Sequence, residues 1–369
     1  MPNPIQSILA GRGPVPFRDF MELALYHPEH GYYGSGRAAL GRKGDYFTNV
    51  SVGAVFGRLI AFQFREMWEW LERPAVFTIV EQGANDGTFA TDVLEWCRVE
   101  APDFFEALRY EIVEGLEILR CRQRERLRGF AGKVGWSISL DELRRFTGVH
   151  FSNELIDAFP VHLVRFKDGD WRELYVTPEL TWLDQPIANA ALIEQLADVP
   201  RIEGYTTEVS LDAPRWAAAL AAKIERGWVL AIDYGYPRER YYSAERTQGT
   251  LVCYSGHTRS PDPLADPGSS DITAHVEFTS LVHAFRAAGM QMAGQTDQHH
   301  FLTGLVSCVF ANRAPSPPSP QEARGLKTLL HPEMLGTTFQ VLGLSRGTPP
   351  GTLAGFRFAD RRDESRGFP

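Results

Sequence analysis

The sequence predicts an α/β protein built on an open, doubly wound sheet of the nucleotide-binding type. The first observation is VFTIVEQGANDG (residues 76–87), an apolar run rich in β-branched residues that leads into Glu81 and a turn carrying Gly83 and Gly87. The second is the following FATDVLEWC, whose apolar residues recur at helical spacing. The third is the alternation of strand-like and helix-like segments from residue 74 onwards. Strand, glycine turn and helix open such folds.

The remaining elements follow from hydrophobic periodicity and turn residues. Strands are predicted at residues 76–81, 108–114, 134–138, 149–153, 228–233, 291–293 and 304–311. A hairpin is predicted from residues 163–166 and 171–176, turned at 168–170. Helices are predicted at residues 118–128, near 188–197, at 214–226 and at 278–288.

Three consecutive domains are expected. Residues 1–72 carry two amphipathic helices, FRDFMELALY and residues 53–71, and we interpret them as a helical lid over the nucleotide site. The alternative is a helical layer that only covers a sheet face. Residues 73–313 form the α/β core. Residues 314–369 hold the proline-rich linker APSPPSP and a tail with one helix near residues 333–342.

Composition limits the choice of partners. The 369 residues are 44% hydrophobic and carry a formal net charge of −8, which argues against a broad grip on nucleic acid and leaves room for a cationic protein segment. The four cysteines form no C-x-x-C pair, so a reducing compartment is expected. We find no signal peptide and no membrane span in the sequence. A cytoplasmic location without a membrane partner is therefore expected, and the oligomeric state, with a homodimer as one option, stays open.

The glycine turn differs from the dinucleotide fingerprint. Asn85 stands where G-x-G-x-x-G requires a glycine, and the acidic Glu81 and Asp86 would repel phosphates. A ligand with hydroxyls and a positive charge, such as S-adenosylmethionine (SAM), suits the turn better. Glu114 ends the second strand and can accept hydrogen bonds from ribose hydroxyls. A plain structural turn and a nicotinamide dehydrogenase are the alternatives.

Polar residues also follow the fourth strand and fill a long connection. Asn153, Glu154 and Asp157 come after residues 149–153, where two carboxylates could orient a guanidinium or take a proton. Ordinary helix caps are the alternative. Asp271 and His275 lie in a long polar segment, residues 249–278, which is more typical of a functional loop than of a connector. Its histidine spacing matches no zinc signature, so no metal site is predicted.

Six spaced motifs resemble one family. They are GPVPFRDFMELALYHPEHGYYG, GRKGDYFTNVSVGAVFG, VEQGANDGT, SNELIDAFPVH, LAIDYG and GTLVCYSGHTRSPDPLADPGSSDITAHVEF. In this order they resemble the MidA-like family of SAM-dependent methyltransferases, which includes a mitochondrial protein arginine methyltransferase needed for respiratory complex I assembly. The resemblance implies a class I, Rossmann-like methyltransferase sheet with a final antiparallel strand, an N-terminal helical lid and a C-terminal extension.

The resemblance also implies roles for particular residues. The family pattern E-x-G-x-G-x-G is matched by Glu81, Gly83 and Gly87, with Asn85 in place of the middle glycine. The resemblance implies that Glu81, Gly83, Gly87 and Glu114 bind the cofactor and that Asp45 and Thr48 border it from the lid. Asp86 and Asn153, which follow the ends of the first and fourth predicted strands, are further cofactor-binding candidates. The implied catalytic residues on the acceptor side are Glu154 and Asp157 of the N-E-x-x-D-A-x-P block and Asp271 and His275 of the D-I-T-A-H block.

Two functions remain open from the sequence. The first is methyl transfer from SAM to an arginine nitrogen of a partner protein, in which catalysis is largely the alignment of acceptor, methyl group and sulfur. The second is a SAM-binding assembly factor or chaperone whose catalysis is lost or secondary.

Overall fold

The computed structural model describes residues 3–36, 49–255, 258–260, 262–311, 319–331 and 335–360. The chain divides into two compact units. The smaller unit consists of Met1–Tyr46, Ile156–Trp216 and Gly235–His283, and the larger unit of Phe47–Leu155, Ala217–Tyr234 and Ala284–Pro369. This division cuts across the three consecutive segments expected from the sequence.

The helices begin and end close to the predicted positions in most cases. They are α1 (Pro4–Arg12), α2 (Phe17–Tyr26), α3 (Val55–Trp70), α4 (Thr88–Glu100), α5 (Pro102–Ala107), α6 (Glu117–Arg126), α7 (Ala190–Gln195), α8 (Asp212–Lys223), α9 (Arg238–Tyr241), α10 (Phe278–Ala287), α11 (Gln298–Ala311) and α12 (Pro320–Leu330).

The strands include every predicted one except the segment 304–311. They are β1 (Val15–Pro16), β2 (Phe77–Gln82), β3 (Leu108–Val113), β4 (Val134–Ser137), β5 (Phe146–Asn153), β6 (His162–Lys167), β7 (Asp170–Val176), β8 (Trp182–Pro186), β9 (Thr206–Val209), β10 (Ile224–Tyr236), β11 (Val252–Ser255), β12 (Thr258–Ser260), β13 (Asp271–Thr273), β14 (Val276–Glu277), β15 (Gln291–Asp297) and β16 (Phe339–Arg346).

The larger unit contains the predicted sheet. Its strand order is β15-β16-β10-β5-β2-β3-β4. The strands from β10 to β4 are mutually parallel, whereas β16 runs antiparallel to both β10 and β15. This is the class I methyltransferase arrangement, so the predicted fold class with its antiparallel strand is confirmed. The chain reverses its winding between β2 and β5, which makes the carboxyl ends of these strands the switch point where ligands bind in such sheets.

Two predicted elements were wrong. Residues 304–311 belong to helix α11, not to a closing strand, because Phe301, Leu302 and Leu305 lie at helical spacing and are buried in the core. In the predicted tail helix, the residues from Phe339 onwards form strand β16 instead. An apolar run buried on both faces of a sheet carries no alternating pattern, and this is why its periodicity was misleading.

Packing of amphipathic helices against the sheet forms the core of the larger unit. Helix α3 buries Phe56, Ile60 and Phe64, and helix α4 buries Phe89 and Leu94 in the same cluster. These are the apolar positions that the sequence placed at helical spacing. The helix predicted at residues 53–71 is therefore confirmed, and it packs into the core of this unit.

The smaller unit has its own sheets and core. The predicted hairpin is confirmed as β6 and β7, which join β1, β8 and β9 in one antiparallel sheet, while β11, β12 and β13 form another. Helices α1 and α2 bury Ile5, Leu9 and Phe20 against residues of these sheets. Within the described residues, none of the helices combines the length and apolar character that a membrane crossing requires.

Candidate functional site

The glycine turn lies at the switch point of the larger unit's sheet. Between the end of β2 and the start of α4 the backbone is left-handed three times, at Gly83 (φ 81°), Asn85 (φ 46°) and Gly87 (φ 81°). Glycine adopts this conformation without strain, and asparagine is among the few other residues that tolerate it. A Cβ on Gly83 would lie 3.3 Å from Leu155 Cδ1, so this turn packs beside the chain that leaves β5.

Glu81 is buried beneath the turn. Its carboxylate accepts a hydrogen bond of 2.7 Å from the hydroxyl of Tyr110, and only 4% of the residue is exposed. Burial raises the pKa of Glu81 to about 8, and the nearby Asp86 adds to this rise. The buried Glu81 carboxyl therefore holds its proton more tightly than an exposed glutamate does, and it joins β2 to Tyr110 of β3.

Asp86 holds the start of helix α4. Its Oδ1 accepts hydrogen bonds from the backbone N–H (3.0 Å) and the hydroxyl (2.7 Å) of Thr88. Its Oδ2 pairs with the guanidinium of Arg126 at 2.7 Å. Asp86 precedes Gly87, the N-cap residue of α4, and its contacts are those of an Asx turn joined to an ion pair.

Glu114 lies just after the carboxyl end of the neighbouring strand β3. Its Oε1 accepts a hydrogen bond of 2.9 Å from Leu116 N–H, and its Oε2 accepts a longer one of 3.3 Å from Gln123 Nε2. Burial raises the pKa of Glu114. The hydrogen bond from the backbone N–H of Leu116 is the largest of the effects that oppose this rise, because it stabilises the charged carboxylate. A carboxylate offers about four acceptor positions, so these two bonds leave capacity for ribose hydroxyls.

Asn153 is the last residue of strand β5, on the other side of the switch point, and Glu154 follows it. Asn153 Nδ2 donates a hydrogen bond of 2.8 Å to Glu154 Oε1. Glu154 has a left-handed backbone (φ 54°), and its N–H donates to the carbonyl of Ile232 at 3.0 Å. The next N–H, that of Leu155, donates to Asp233 Oδ2 at 3.3 Å. Such a backbone is costly for glutamate, and these bonds from β10 stabilise it.

The other predicted acceptor-side residues lie in the smaller unit. Asp271 is fully buried, and its Oδ1 accepts a hydrogen bond of 2.8 Å from the hydroxyl of Tyr33. The ring of Tyr33 stacks on that of Tyr26 with centroids 5.7 Å apart. The backbone carbonyl of Asp157, also buried, accepts from Ala274 N–H at 2.9 Å. The structure thus brings Asp157 and the segment after Asp271 into backbone contact.

His275 borders a small cavity in the same unit. Its backbone N–H donates to Thr250 Oγ1 at 3.0 Å, and its ring lies 5.2 Å from that of Tyr236. The cavity is also lined by the buried carboxylate of Glu208, which accepts hydrogen bonds from the backbone N–H groups of Thr250 and Leu251. The remaining predicted residues, Asp45 and Thr48, lie outside the described residues.

Comparisons with known proteins decide the family. A family model for S-adenosyl-L-methionine-dependent methyltransferases matches residues 59–296. This chain belongs to that methyltransferase family. The matched residues include the glycine turn, the ends of the flanking strands β3 and β5, and strand β10. The SAM cofactor expected at the glycine turn is therefore also the cofactor of the family.

Individual relatives are similar to this chain over nearly its whole length. A mitochondrial protein arginine methyltransferase NDUFAF7 homolog of Drosophila melanogaster is 26% identical over 95% of this chain and 85% of its own. The human NDUFAF7 protein is 24% identical over 96% of this chain and 85% of its own. A solved Burkholderia thailandensis protein bound to S-adenosyl-homocysteine is 31% identical, covers 99% of both chains and gives a TM-score of 0.85.

SAM is the cofactor of this methyltransferase, and its site residues fit such a ligand. The left-handed backbone at Gly83 and Gly87 shapes the turn at the switch point, and it lets the turn pack against Leu155 on one side and against Gln123 and Leu127 on the other. The Glu114 carboxylate keeps acceptor capacity for ribose hydroxyls. When bound, SAM supplies the activated methyl group, and the protein's contribution is to hold and orient it.

Several residues of the site had no signal in the sequence. Gln123 in the charged helix α6 bonds both Glu114 and the carbonyl of Asn85. Asn49 and Gln298 are far apart in the sequence and fully buried in the structure. Asn49 is hydrogen-bonded to Asn153, and Gln298 is hydrogen-bonded to Asn49. Asn49 and Tyr33 were visible in the sequence only as members of the family motifs. Buried amides in polar segments look like surface residues in a sequence, and only their packing reveals them.

Proposed function

We propose that this methyltransferase transfers a methyl group from SAM to an arginine nitrogen of a protein. The observation that carries the proposal is Glu154, a carboxylate fixed at the switch point by a left-handed backbone and by Asn153. A carboxylate accepts the paired N–H groups of a guanidinium with matching geometry and charge. Holding the acceptor nitrogen in line with the methyl group supplies much of the catalysis that such a transfer needs.

Two further observations support an arginine acceptor. The net charge of −8 favours encounter with a basic protein segment. The Drosophila and human relatives are named protein arginine methyltransferases.

The test is to identify the methylated amino acid. The purified protein is incubated with SAM carrying a tritiated methyl group and with extract from source cells that lack the gene, whose acceptor is unmethylated. Acid hydrolysis and amino-acid chromatography should place the label in methylarginine. Label in another amino acid or in a small molecule would overturn the proposal. An absence of label despite SAM binding would favour the assembly-factor alternative.

A matched pair of variants links the activity to the site. Glu154→Gln keeps the side-chain shape but removes the charge, and it should lower methylarginine formation by about tenfold or more, the effect of losing one charged hydrogen bond. Glu225→Gln alters an exposed glutamate of the same unit, which pairs with Arg145, and should leave the rate unchanged. Equal rates in both variants would contradict a role for Glu154.

A further inference from the structure

A chain of side-chain amides runs through the larger unit and ends on Glu154. Gln298 Nε2 donates to Asn49 Oδ1, and Asn49 Nδ2 donates to Asn153 Oδ1, each at 2.8 Å. Asn153 Nδ2 then donates to Glu154 Oε1, again at 2.8 Å. The three amides come from segments that are more than a hundred residues apart in the sequence. This chain of amides therefore forms only in the folded protein.

The direction of these hydrogen bonds is set from both ends. An ionised carboxylate can only accept, so Asn153 must turn its NH₂ group towards Glu154 and its oxygen towards Asn49. Asn49 must then donate to Asn153 and accept from Gln298. At the far end, Gln298 Nε2 also lies 3.4 Å from the carbonyl oxygens of Leu329 and Leu335, which likewise require a donor. Each of the three amides therefore donates one N–H in the direction of Glu154.

Burial makes this direction costly to reverse. Asn49 and Gln298 are fully buried, and Gln298 Oε1 has no hydrogen-bond partner among the described residues. In such surroundings aligned amide dipoles strengthen one another, and an acceptor facing an acceptor costs the full desolvation of both groups. The chain thus favours one orientation of the Glu154 carboxylate and its charged form.

We propose that Asn49 and Gln298 are positioning residues of the methyltransferase, which act through Asn153 to aim the charged Glu154 carboxylate at the acceptor. The proposal rests on the proposed function for the identity of that acceptor. The other part of the proposal is that the chain of amides has one direction and requires a carboxylate at its end. This part depends only on the hydrogen bonds described above.

A double-mutant cycle tests the directional chain without any acceptor. Asn49→Asp keeps the shape of the side chain but replaces its donor by an acceptor, so Asn153 must turn round and place its oxygen against Glu154. The midpoint of thermal unfolding should fall by several degrees. Glu154→Gln supplies an NH₂ group to the reversed chain, so the double variant should recover most of that loss. Additive losses in the double variant would overturn the proposal.

A control separates this coupling from general damage to the core. Gln63 is another fully buried amide of the same unit, which accepts from Gly355 N–H and donates to Glu66. Gln63→Glu should also lower the unfolding midpoint, but adding Glu154→Gln should recover none of it. Recovery in this pair as well would show that Glu154→Gln stabilises the fold unspecifically and would remove the support for the chain.

Methyl transfer provides the functional readout. With the tritium assay on cell extract, Gln298→Met and Asn49→Asp should lower turnover at saturating SAM by about tenfold, the effect of a charged hydrogen bond, while SAM affinity stays within about twofold. In the Glu154→Gln background neither change should lower turnover further. If the double variant recovers stability but the label lies outside arginine, the proposed acceptor is rejected and the chain of amides is kept. If the product is methylarginine but the stability losses are additive, the acceptor is kept and the chain of amides is rejected.

Discussion

The side-chain amide of Gln123 donates a hydrogen bond of 2.8 Å to the backbone carbonyl of Asn85. It therefore ties helix α6 to the middle of the glycine turn, at the position where the family pattern has another glycine. The same amide nitrogen reaches Glu114, and the amide oxygen accepts from Trp136 Nε1 at 3.1 Å. One fully buried glutamine thus links the two halves of the predicted cofactor site.

Replacing this glutamine should weaken SAM binding. Gln123→Met keeps the length of the side chain but removes its hydrogen bonds, so the left-handed turn and Glu114 lose a shared support. The loss of about 1 kcal/mol per bond predicts a dissociation constant for SAM raised by about fivefold to tenfold in calorimetry. Gln295→Met, at a buried glutamine in the edge strand β15, is the control and should leave SAM affinity unchanged. Equal affinities in both variants would contradict the link.

Glu114 should be required for the cofactor but not for the fold. Glu114→Ala removes the carboxylate that faces the ribose in the predicted site, and charged hydrogen bonds of about 1.5–3 kcal/mol predict a 10- to 100-fold loss of SAM affinity. Calorimetric titration measures this loss, and NAD should bind neither protein. Glu111→Ala serves as control, since Glu111 of the same strand accepts from Ser137 Oγ instead. Unchanged SAM binding in Glu114→Ala would remove Glu114 from the site.

Glu81 should make stability depend on pH. Burial raises its pKa from 4.5 to about 8, so the folded protein binds more protons than the unfolded chain between these values. The stabilising contribution is complete below the unfolded-state pKa and is lost as the pH rises through about 8. The free energy of unfolding should therefore decline across this range in the wild type and decline less in Glu81→Gln. Parallel curves from urea unfolding at pH 5 to 8.5 would contradict the shift.

Tyr33 and Tyr26 offer a comparison between a charged and a neutral acceptor. Tyr33→Phe removes the donor to the buried Asp271 carboxylate, whereas Tyr26→Phe removes a donor to the backbone carbonyl of Ala158. Hydrogen bonds to charged groups contribute about 1.5–3 kcal/mol and neutral ones about 0.5–1.5 kcal/mol. Tyr33→Phe should therefore lower the free energy of unfolding more than Tyr26→Phe, as measured in urea. The opposite order would contradict a charged acceptor at Asp271.

Local signals in the sequence were sufficient for the central sheet and its switch point. The β-branched run before Glu81 predicted β2, and the two glycines after it predicted the turn, because both depend on the residues themselves. Asn153 and Glu154 were expected at a strand end next to that turn, and the packing of Leu155 against Gly83 places them there.

The supports of the site depended on contacts that no local pattern records. Gln123 and Gln298 acquire their roles from partners 38 and 249 residues away. Strand β16 is set by pairing with β10 on one side and β15 on the other, and the residues of the strand itself do not record this pairing.

The sequence by itself determined the family, the cofactor and the class of fold, since these rest on short motifs and on periodicity within single elements. Only the tertiary structure decided which strand closes the sheet and which buried amides hold Asn153 and Glu154. The physical reason is that a hydrogen bond between distant residues contributes to stability only after folding has excluded water from both, and this exclusion is a property of the packed chain.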